Sequence, residues 1–284
     1  MQNEYIKSPI NYMGNKYKLL GQLFEFFPTN IETFIDVFGG SFTVGININA
    51  KNVIYNEINN PLYSLITFLI DHNFDYIDKS LNCLINYYGL EKGKKESYLK
   101  LRNDYNDIVK TNSNDEKKDL LLFLLICYGF NYQLRFNKKG EFNIPCGNRD
   151  YSNEMKKHLE KFTIKVKDIN IQTFNLNYKK LIIPENSFVY LDPPYLQTLA
   201  TYNENGGWNI EKEKELYKWI DDLNDRNIKF ALSNTSFYHN KKNDILLDWA
   251  TKYDIINLNH NYNNNNRHNK NNNDYTQEIL IKNY

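Results

Sequence analysis

Phe188-Val-Tyr-Leu-Asp192-Pro193-Pro194-Tyr195 puts an aspartate, two prolines and an aromatic directly after an apolar run. The run predicts a strand that delivers Asp192 to its carboxyl end, and the prolines fix φ and stiffen the loop that follows. Proline has no N–H, so the loop offers carbonyl acceptors without a competing donor. The Asp192 carboxylate and the Pro193 carbonyl could then accept both hydrogens of an exocyclic amine such as adenine's. That would leave the nitrogen lone pair free for attack on an electrophile. A plain proline-terminated turn would carry the same residues, so the chemistry depends on what accompanies them.

Two further motifs do. Phe34-Ile-Asp-Val-Phe38-Gly39-Gly40-Ser41-Phe predicts a strand, a Gly-Gly turn and then a helix. Glycines there let the backbone turn sharply and approach a ligand at the carboxyl end of a strand, where α/β sheets bind cofactors. It is not a phosphate-binding loop, because no Gly-Lys-Ser/Thr follows. Val53-Ile-Tyr-Asn-Glu57 places a carboxylate at the end of the next strand, at about the 20-residue spacing used for ribose recognition. The alternative for Glu57 is an ordinary solvated side chain.

These residues need strands and helices to hold them. Runs rich in β-branched and aromatic residues predict strands at Thr33–Phe38, Val53–Asn56, Ile169–Phe174, Ser187–Asp192, Lys229–Ser233, Asp254–Leu258 and Glu278–Lys282. Helical patterns lie between most of them, as in Pro61–Asp71 and Glu211–Asn224, which predicts a mostly parallel sheet with helices on both faces. The alternation breaks between roughly Phe74 and Lys161. That stretch reads as a helical insertion (Glu91–Lys110, Asn114–Tyr128) leading into a loop from Gly129 to Tyr151. Asn259 to Asp274 is nearly all Asn, Lys and His and predicts a loop before the last strand.

Composition narrows the class. The 284 residues are 41% hydrophobic and 24% charged, enough for a sizeable core. Lys and Arg total 35 against 34 acidic residues, so any nucleic-acid contact must be a local patch. Arg135, Lys138, Lys139 and Arg149, interleaved with Phe130, Tyr132 and Phe136, form such a patch. Cys83, Cys127 and Cys146 are too widely spaced for a CxxC metal site and odd in number, against a disulfide framework. No metal-ligand spacing is found. The apolar run Leu120 to Tyr128 is too short to cross a bilayer, and no signal peptide begins the chain. A soluble cytoplasmic protein without a membrane partner is the expectation.

Taken together, these motifs resemble the amino-methyltransferases. Their order, with the long insertion between cofactor loop and catalytic loop, is similar to the α group of D12-class DNA adenine-N6 methyltransferases of the Dam type. The resemblance is closest to the Dam enzymes of T-even phages and extends over nearly the whole chain. It includes Asn11-Tyr-Met-Gly-Asn-Lys16, Leu101-Arg-Asn-Asp-Tyr-Asn106, Gly129-Phe-Asn-Tyr-Gln-Leu-Arg135-Phe-Asn-Lys-Lys-Gly140-Glu-Phe-Asn-Ile-Pro145, Ser233-Asn234 and Thr276-Gln-Glu-Ile-Leu.

The resemblance implies an α/β fold: a seven-stranded, Rossmann-like S-adenosylmethionine-dependent core (residues 1–73 and 162–284) with an inserted helical target-recognition domain (74–161). It implies that Tyr12, Lys16, Phe38, Gly39, Gly40, Ser41, Glu57, Tyr178 and Asp192 bind S-adenosylmethionine, without a metal. Asp192, Pro193, Pro194 and Tyr195 would be catalytic. Asn131, Arg135, Asn137, Pro145 and Arg149 would contact double-stranded DNA, with the adenine of GATC as the target. A monomer is implied, and a cognate restriction endonuclease stays open as a partner. This chain departs from the family pattern at Asn15, Cys146 and Asn11, the last standing where several members have a guanine-reading lysine. Three alternatives stay open: an RNA adenine methyltransferase, an idle DNA-binding protein, and a cytosine-N4 enzyme, whose loop usually begins with Ser where this chain has Asp192.

Overall fold

In a computed structural model of the chain, which describes residues 5–111, 117–197, 207–238, 241–259 and 276–284, the β-branched and aromatic runs become strands. These are β1 (Ile31–Asp36), β2 (Ala50–Asn56), β3 (Asn170–Phe174), β4 (Ser187–Leu191), β5 (Lys229–Tyr238), the two-residue β6 (Lys241–Lys242), β7 (Asp254–Leu258) and β8 (Gln277–Lys282). Seven of them lie in the order β3-β2-β1-β4-β5-β8-β7, with β6 paired to the end of β5. The first five in that order are parallel, and β8 runs antiparallel between β5 and β7. This is the expected seven-stranded α/β core. Its chain order reverses between β1 and β4, so a crevice opens past the carboxyl ends of those two strands.

The period-2 alternation of a strand explains the two cores. Phe188 and Tyr190 of β4 face one side, where Phe27 and Phe34 pack on them, and Val189 and Leu191 face the other with Leu216, Ile220 and Leu223. The helices supplying these layers are α1 (Leu20–Phe26), α2 (Asn60–Asp71), α3 (Phe74–Tyr88), α4 (Lys95–Lys110), α5 (Lys117–Tyr128), α6 (Asn153–Lys165), α7 (Ile210–Asp225) and α8 (Asp244–Ala250). Helix α5 is the apolar run of the sequence. Every residue from Asp119 to Tyr128 is buried, and the buried Asp119 carboxylate accepts from Ser64 Oγ at 2.9 Å. Asparagines cap α2, α3, α7 and α8, each accepting from an amide three residues on.

Four features differ from the sequence reading or refine it. No regular helix follows Gly39-Gly40; residues 40–47 form turns, because Phe42 takes φ 61, a left-handed value that a helix interior cannot hold. Strand β5 continues to Tyr238, five residues past the expected Ser233, along the pairing with β8. Helix α6 runs through the expected 161/162 domain boundary, since Leu159 and Phe162 pack into the same core as α5. The loop after α5 folds into a hairpin: Asn137 N donates to Glu141 O at 2.8 Å, Asn143 N to Arg135 O at 3.2 Å, and Gly140 makes the turn at φ 76. The expected loop from Asn259 to Asp274 lies outside the described residues from position 260 onward. Among the described residues the three cysteines are free, and no helix is long and apolar enough to cross a membrane.

Gly39 sits where the first loop passes over β2. A Cβ there would lie 2.3 Å from the ring of Tyr55, a fully buried side chain boxed in by Phe42. Gly39→Ala is therefore expected to cost about 1–3 kcal/mol through overpacking. Its denaturation midpoint should fall accordingly, and an unchanged midpoint would mean that the Tyr55 ring moves freely.

Candidate functional site

Three parallel neighbours, β2, β1 and β4, end side by side, and each delivers its motif to the same crevice. Val37 N donates to Tyr190 O at 3.1 Å and Gly39 N to Asn56 O at 2.8 Å, so the three loops leave the sheet in register. Asn56 closes the edge further. Its Nδ2 donates to the carbonyls of Val37 (2.9 Å) and Leu176 (3.1 Å), and its Oδ1 accepts from Leu176 N. The cleft above holds ≈ 1070 Å³.

Glu57 is not a solvated surface group. It is buried; Oε2 accepts from Gly40 N at 3.0 Å and Oε1 from Asn59 N at 2.7 Å. Gly40 itself has φ 50 and lies under the ring of Tyr12, 3.3 Å from where a Cβ would be. Tyr12 belongs to the N-terminal segment, which is tied down by Asn15 Nδ2 donating to Thr43 Oγ1 (3.0 Å) and Ser41 Oγ (3.3 Å).

The same segment brings Lys16 to the loop after β4. Its side chain is buried, and the ammonium lies 2.8 Å from Asp192 Oδ2, donates to Gly14 O at 2.7 Å and sits 5.2 Å over the Tyr195 ring. Tyr195 Oη donates to Asp192 Oδ1 at 3.1 Å, which fixes the ring beside the carboxylate. Burial raises the Asp192 carboxyl above its ordinary value, against the pull of Lys16. Burial, opposed by the amides of Asn59 and Gly40, also raises Glu57. Asp36, at the end of β1, is pushed up to about 8 by burial and by the charge of Asp192, with Glu57 adding to it and the Gly45 amide and Lys16 opposing. For Lys16, burial would lower the pKa, but Asp192, Glu278 and Asp36 together raise it. The cleft floor thus gathers the acidic groups Asp192, Glu278 and Asp36 around the Lys16 ammonium, a set of acceptors that fits a ligand bearing amine and hydroxyl donors.

Tyr12, Lys16, Phe38, Gly39, Gly40, Ser41, Glu57, Tyr178 and Asp192 through Tyr195 all line this one cleft, and Arg135 and Asn137 line it from the hairpin. Asn131, Pro145 and Arg149 do not. Asn131 and Pro145 are exposed on the same hairpin, and Arg149 lies with its guanidinium 4.4 Å over the Tyr132 ring. Arg135 is held along its own hairpin, with Nε donating to Asn143 Oδ1 at 2.9 Å. Sequence reasoning assigned no role to Asp36, Asn56, Trp208 or Glu278, which also line the cleft. The usable signal was a carboxylate within or bordering an apolar run, Asp36 in Phe34–Phe38 and Glu278 before Ile279–Ile281; nothing local marked Trp208. Among the described residues no three His, Cys, Asp or Glu side chains converge as a metal site.

Residues 12–264 match the family model described as D12 class N6 adenine-specific DNA methyltransferase. The chain is 40% identical over 293 residues to the type II methyltransferase M.FokI of Planomicrobium okeanokoites and 39% identical over 294 residues to the modification methylase StsI of Streptococcus sanguinis. Each alignment covers 99% of this chain, but the chain spans only 43% of the length of either relative. The DNA adenine methylase of Escherichia coli is 26% identical over 230 residues, covering 79% of each chain.

The buried Asp36 supplies a pH test. Its carboxyl is held at about 8 in the folded chain against an ordinary 3.8, so between those values the folded form keeps a proton that the unfolded form sheds. Its contribution to stability is full below the unfolded value and is lost as pH rises through the folded one. Asp36→Asn cannot lose that proton, so its melting temperature should gain on wild type as pH rises from about 5 to about 9. A constant difference across that range would rule out a buried proton on Asp36.

Proposed function

Because the chain belongs to the D12 class of N6 adenine-specific DNA methyltransferases, we propose that it transfers a methyl group from S-adenosylmethionine to the N6 amine of an adenine extruded from duplex DNA. One observation carries this reading. The Lys16–Asp192–Tyr195 cluster at the end of β4 stands beside the Gly39-Gly40 turn and the amide-anchored Glu57 at the ends of β1 and β2.

When bound, S-adenosylmethionine supplies an electrophilic methyl group on a sulfonium. Glu57 is fixed by two backbone amides and accepts from the ribose hydroxyls, a charge-assisted contact. Phe38, Gly39, Gly40 and Ser41 line the methionine side, Tyr178 the adenine side, and Tyr12 and Lys16 cover both cofactor and target base. Lys16 opposes the upward push that burial gives the Asp192 carboxyl, and Asp192 and the Pro193 carbonyl accept from the two amine hydrogens and direct the lone pair at the methyl carbon. Tyr195, its ring fixed through the bond to Asp192, stacks on the base; extrusion costs a few kcal/mol, which stacking offsets. Asp192 also stabilises the positive charge that develops on the amine nitrogen during attack and offers an acceptor for the proton that nitrogen then sheds, while the cofactor would leave as a neutral thioether.

The hairpin residues Asn131, Arg135, Asn137 and Pro145, with Arg149 beside them, are proposed to read and hold the DNA, and residues 74–161 to form the recognition unit. Basic side chains next to aromatics suit phosphate contact, base-edge contact and filling of the space left by a flipped base. The resemblance to Dam enzymes points to GATC as the site.

Methylation-aware sequencing of DNA from cells expressing the protein tests both levels. N6-methyladenine in a fixed short motif is expected, and its absence would overturn the reaction. Modified adenines outside GATC would overturn that site and leave the reaction standing. Asp192→Ala should lower the methylation rate about a hundredfold or more while sinefungin still binds. Activity within a few-fold of wild type would remove Asp192 from the chemistry.

Glu57→Ala separates cofactor from DNA. Loss of a charge-assisted hydrogen bond costs roughly 1.5–3 kcal/mol, so sinefungin affinity measured by calorimetry should fall by about one to two decades. Duplex DNA affinity should change little. An unchanged sinefungin affinity would free Glu57 of the ribose role.

A further inference from the structure

A buried carboxylate that this mechanism leaves unused sits behind the cofactor side of the cleft. Glu213, in the first turn of α7, has no exposed surface. It accepts from Trp208 Nε1, from Tyr217 Oη at 2.5 Å and from Asn234 Nδ2 of β5 at 3.3 Å. All three donors are neutral. An apolar residue would fill the same space without burying a charge, so the carboxylate's distinctive property is direction: it can fix the orientation of donors that point at it. Tyr217 is already stacked on Trp249 with ring centroids 4.2 Å apart, and Asn234 lies within a buried strand. Trp208 is the donor that reaches the cleft. It stands just ahead of α7 and is half-buried.

The indole faces a built surface. Its ring meets Phe38 edge-on, with centroids 6.1 Å apart at 87°; Phe38 lies 5.7 Å from Tyr178, and Tyr178 is backed by Trp219 at 5.4 Å. An indole N–H is a donor only, so its bond to Glu213 sets the plane of the ring. Tryptophan presents the best aromatic face for a cation and a broad one for a flat heterocycle.

We propose that Trp208 is a cofactor-contacting wall residue on the Phe38–Tyr178 side of the cleft, and that the buried Glu213 is the positioning residue that holds its indole in place. This inference rests on the reading of the cleft as a sulfonium-cofactor site. Glu213 acts through the ring and touches no ligand. Its loss should therefore matter only while the ring is present.

Sinefungin, a cationic analogue of the cofactor, is the probe, titrated calorimetrically against the whole chain and its variants. Trp208→Ala should weaken binding roughly tenfold, as loss of a desolvated cation–aromatic contact implies. Trp208→Phe, which keeps a ring but drops the N–H, should fall between wild type and Trp208→Ala. Glu213→Gln should weaken binding by a smaller factor in the wild-type background and by none in the Trp208→Ala background. A merely structural Glu213 would give losses that add. A second readout uses Trp208 as the sole indole, in a Trp219→Phe, Trp249→Phe background, where sinefungin should change its emission and Glu213→Gln should change the emission of the free protein. Equal sinefungin affinity in wild type and Trp208→Ala, additive losses, or silent Trp208 emission would each overturn the proposal. Failure of wild type to bind sinefungin at all would instead overturn the functional reading on which it rests.

Discussion

Lys16 is a lysine with 3% of its side chain exposed, and its ammonium is shared between Asp192 of the loop after β4 at 2.8 Å and a backbone carbonyl at 2.7 Å. Asp36 and Glu278 act on it from β1 and β8. Without that cation the carboxylates gathered at the ends of the central strands would repel one another in a poorly solvated crevice, and burial alone would neutralise them. The ammonium cannot come from the sheet, because the strand ends that meet there bring the acids. It comes from the segment before α1, which must fold back across the cleft. Asn15 to Thr43 and Ile6 to Asn47 are hydrogen bonds that hold it there, and Tyr17 to the Tyr5 carbonyl closes the segment on itself. The N-terminal segment is thereby part of the site as much as of the scaffold.

Sheet order does the rest of the positioning. Because β4 returns to pair with β1 after β2 and β3 have been laid on the other side, the three loops that carry Gly39-Gly40, Glu57 and Asp192 leave from adjacent strands at the same edge. Asn56 then stitches two of those loops to the one after β3 by side-chain hydrogen bonds. Close approach has a steric condition as well: the turn after β1 fits over Tyr55 only with Gly39 there. Phe42, at φ 61, turns its ring into the core beside Tyr55 and in doing so prevents a helix directly after the glycines.

The helical insertion has a different logic. Helix α5 is buried from Asp119 to its end, and α2, α3 and α4 supply the surfaces that cover it. That rigid block carries the Gly129–Tyr151 hairpin to the rim of the cleft, where Arg135 and Asn137 meet the same space as the strand-end loops while Arg149 lies out over Tyr132. One hairpin therefore offers an inner row to the crevice and an outer row to whatever lies across it.

The strands and their faces were legible in the sequence because a half-buried or buried strand needs β-branched and aromatic residues at period two, a short-range steric and hydrophobic requirement. The Asp192-Pro193-Pro194-Tyr195 loop was legible for the same reason, since proline restricts φ wherever it stands. Composition and spacing also limited the chemistry of Glu57 to two readings, and the two backbone amides that anchor it decided against the solvated one. What only the tertiary structure decided is convergence. Lys16 and Asp192 are far apart in the chain, as are Asp36 and Glu278, and no local pattern records that β1, β4 and β8 bring them to one ammonium. The hold of Glu213 on Trp208 is close in sequence yet was equally invisible. Its meaning depends on Asn234 arriving from β5 and Phe38 from the loop after β1. Local sequence fixes which conformations a segment can hold cheaply. Which charges and rings then meet is set by the order of strands in the sheet, and that order is a property of the whole chain.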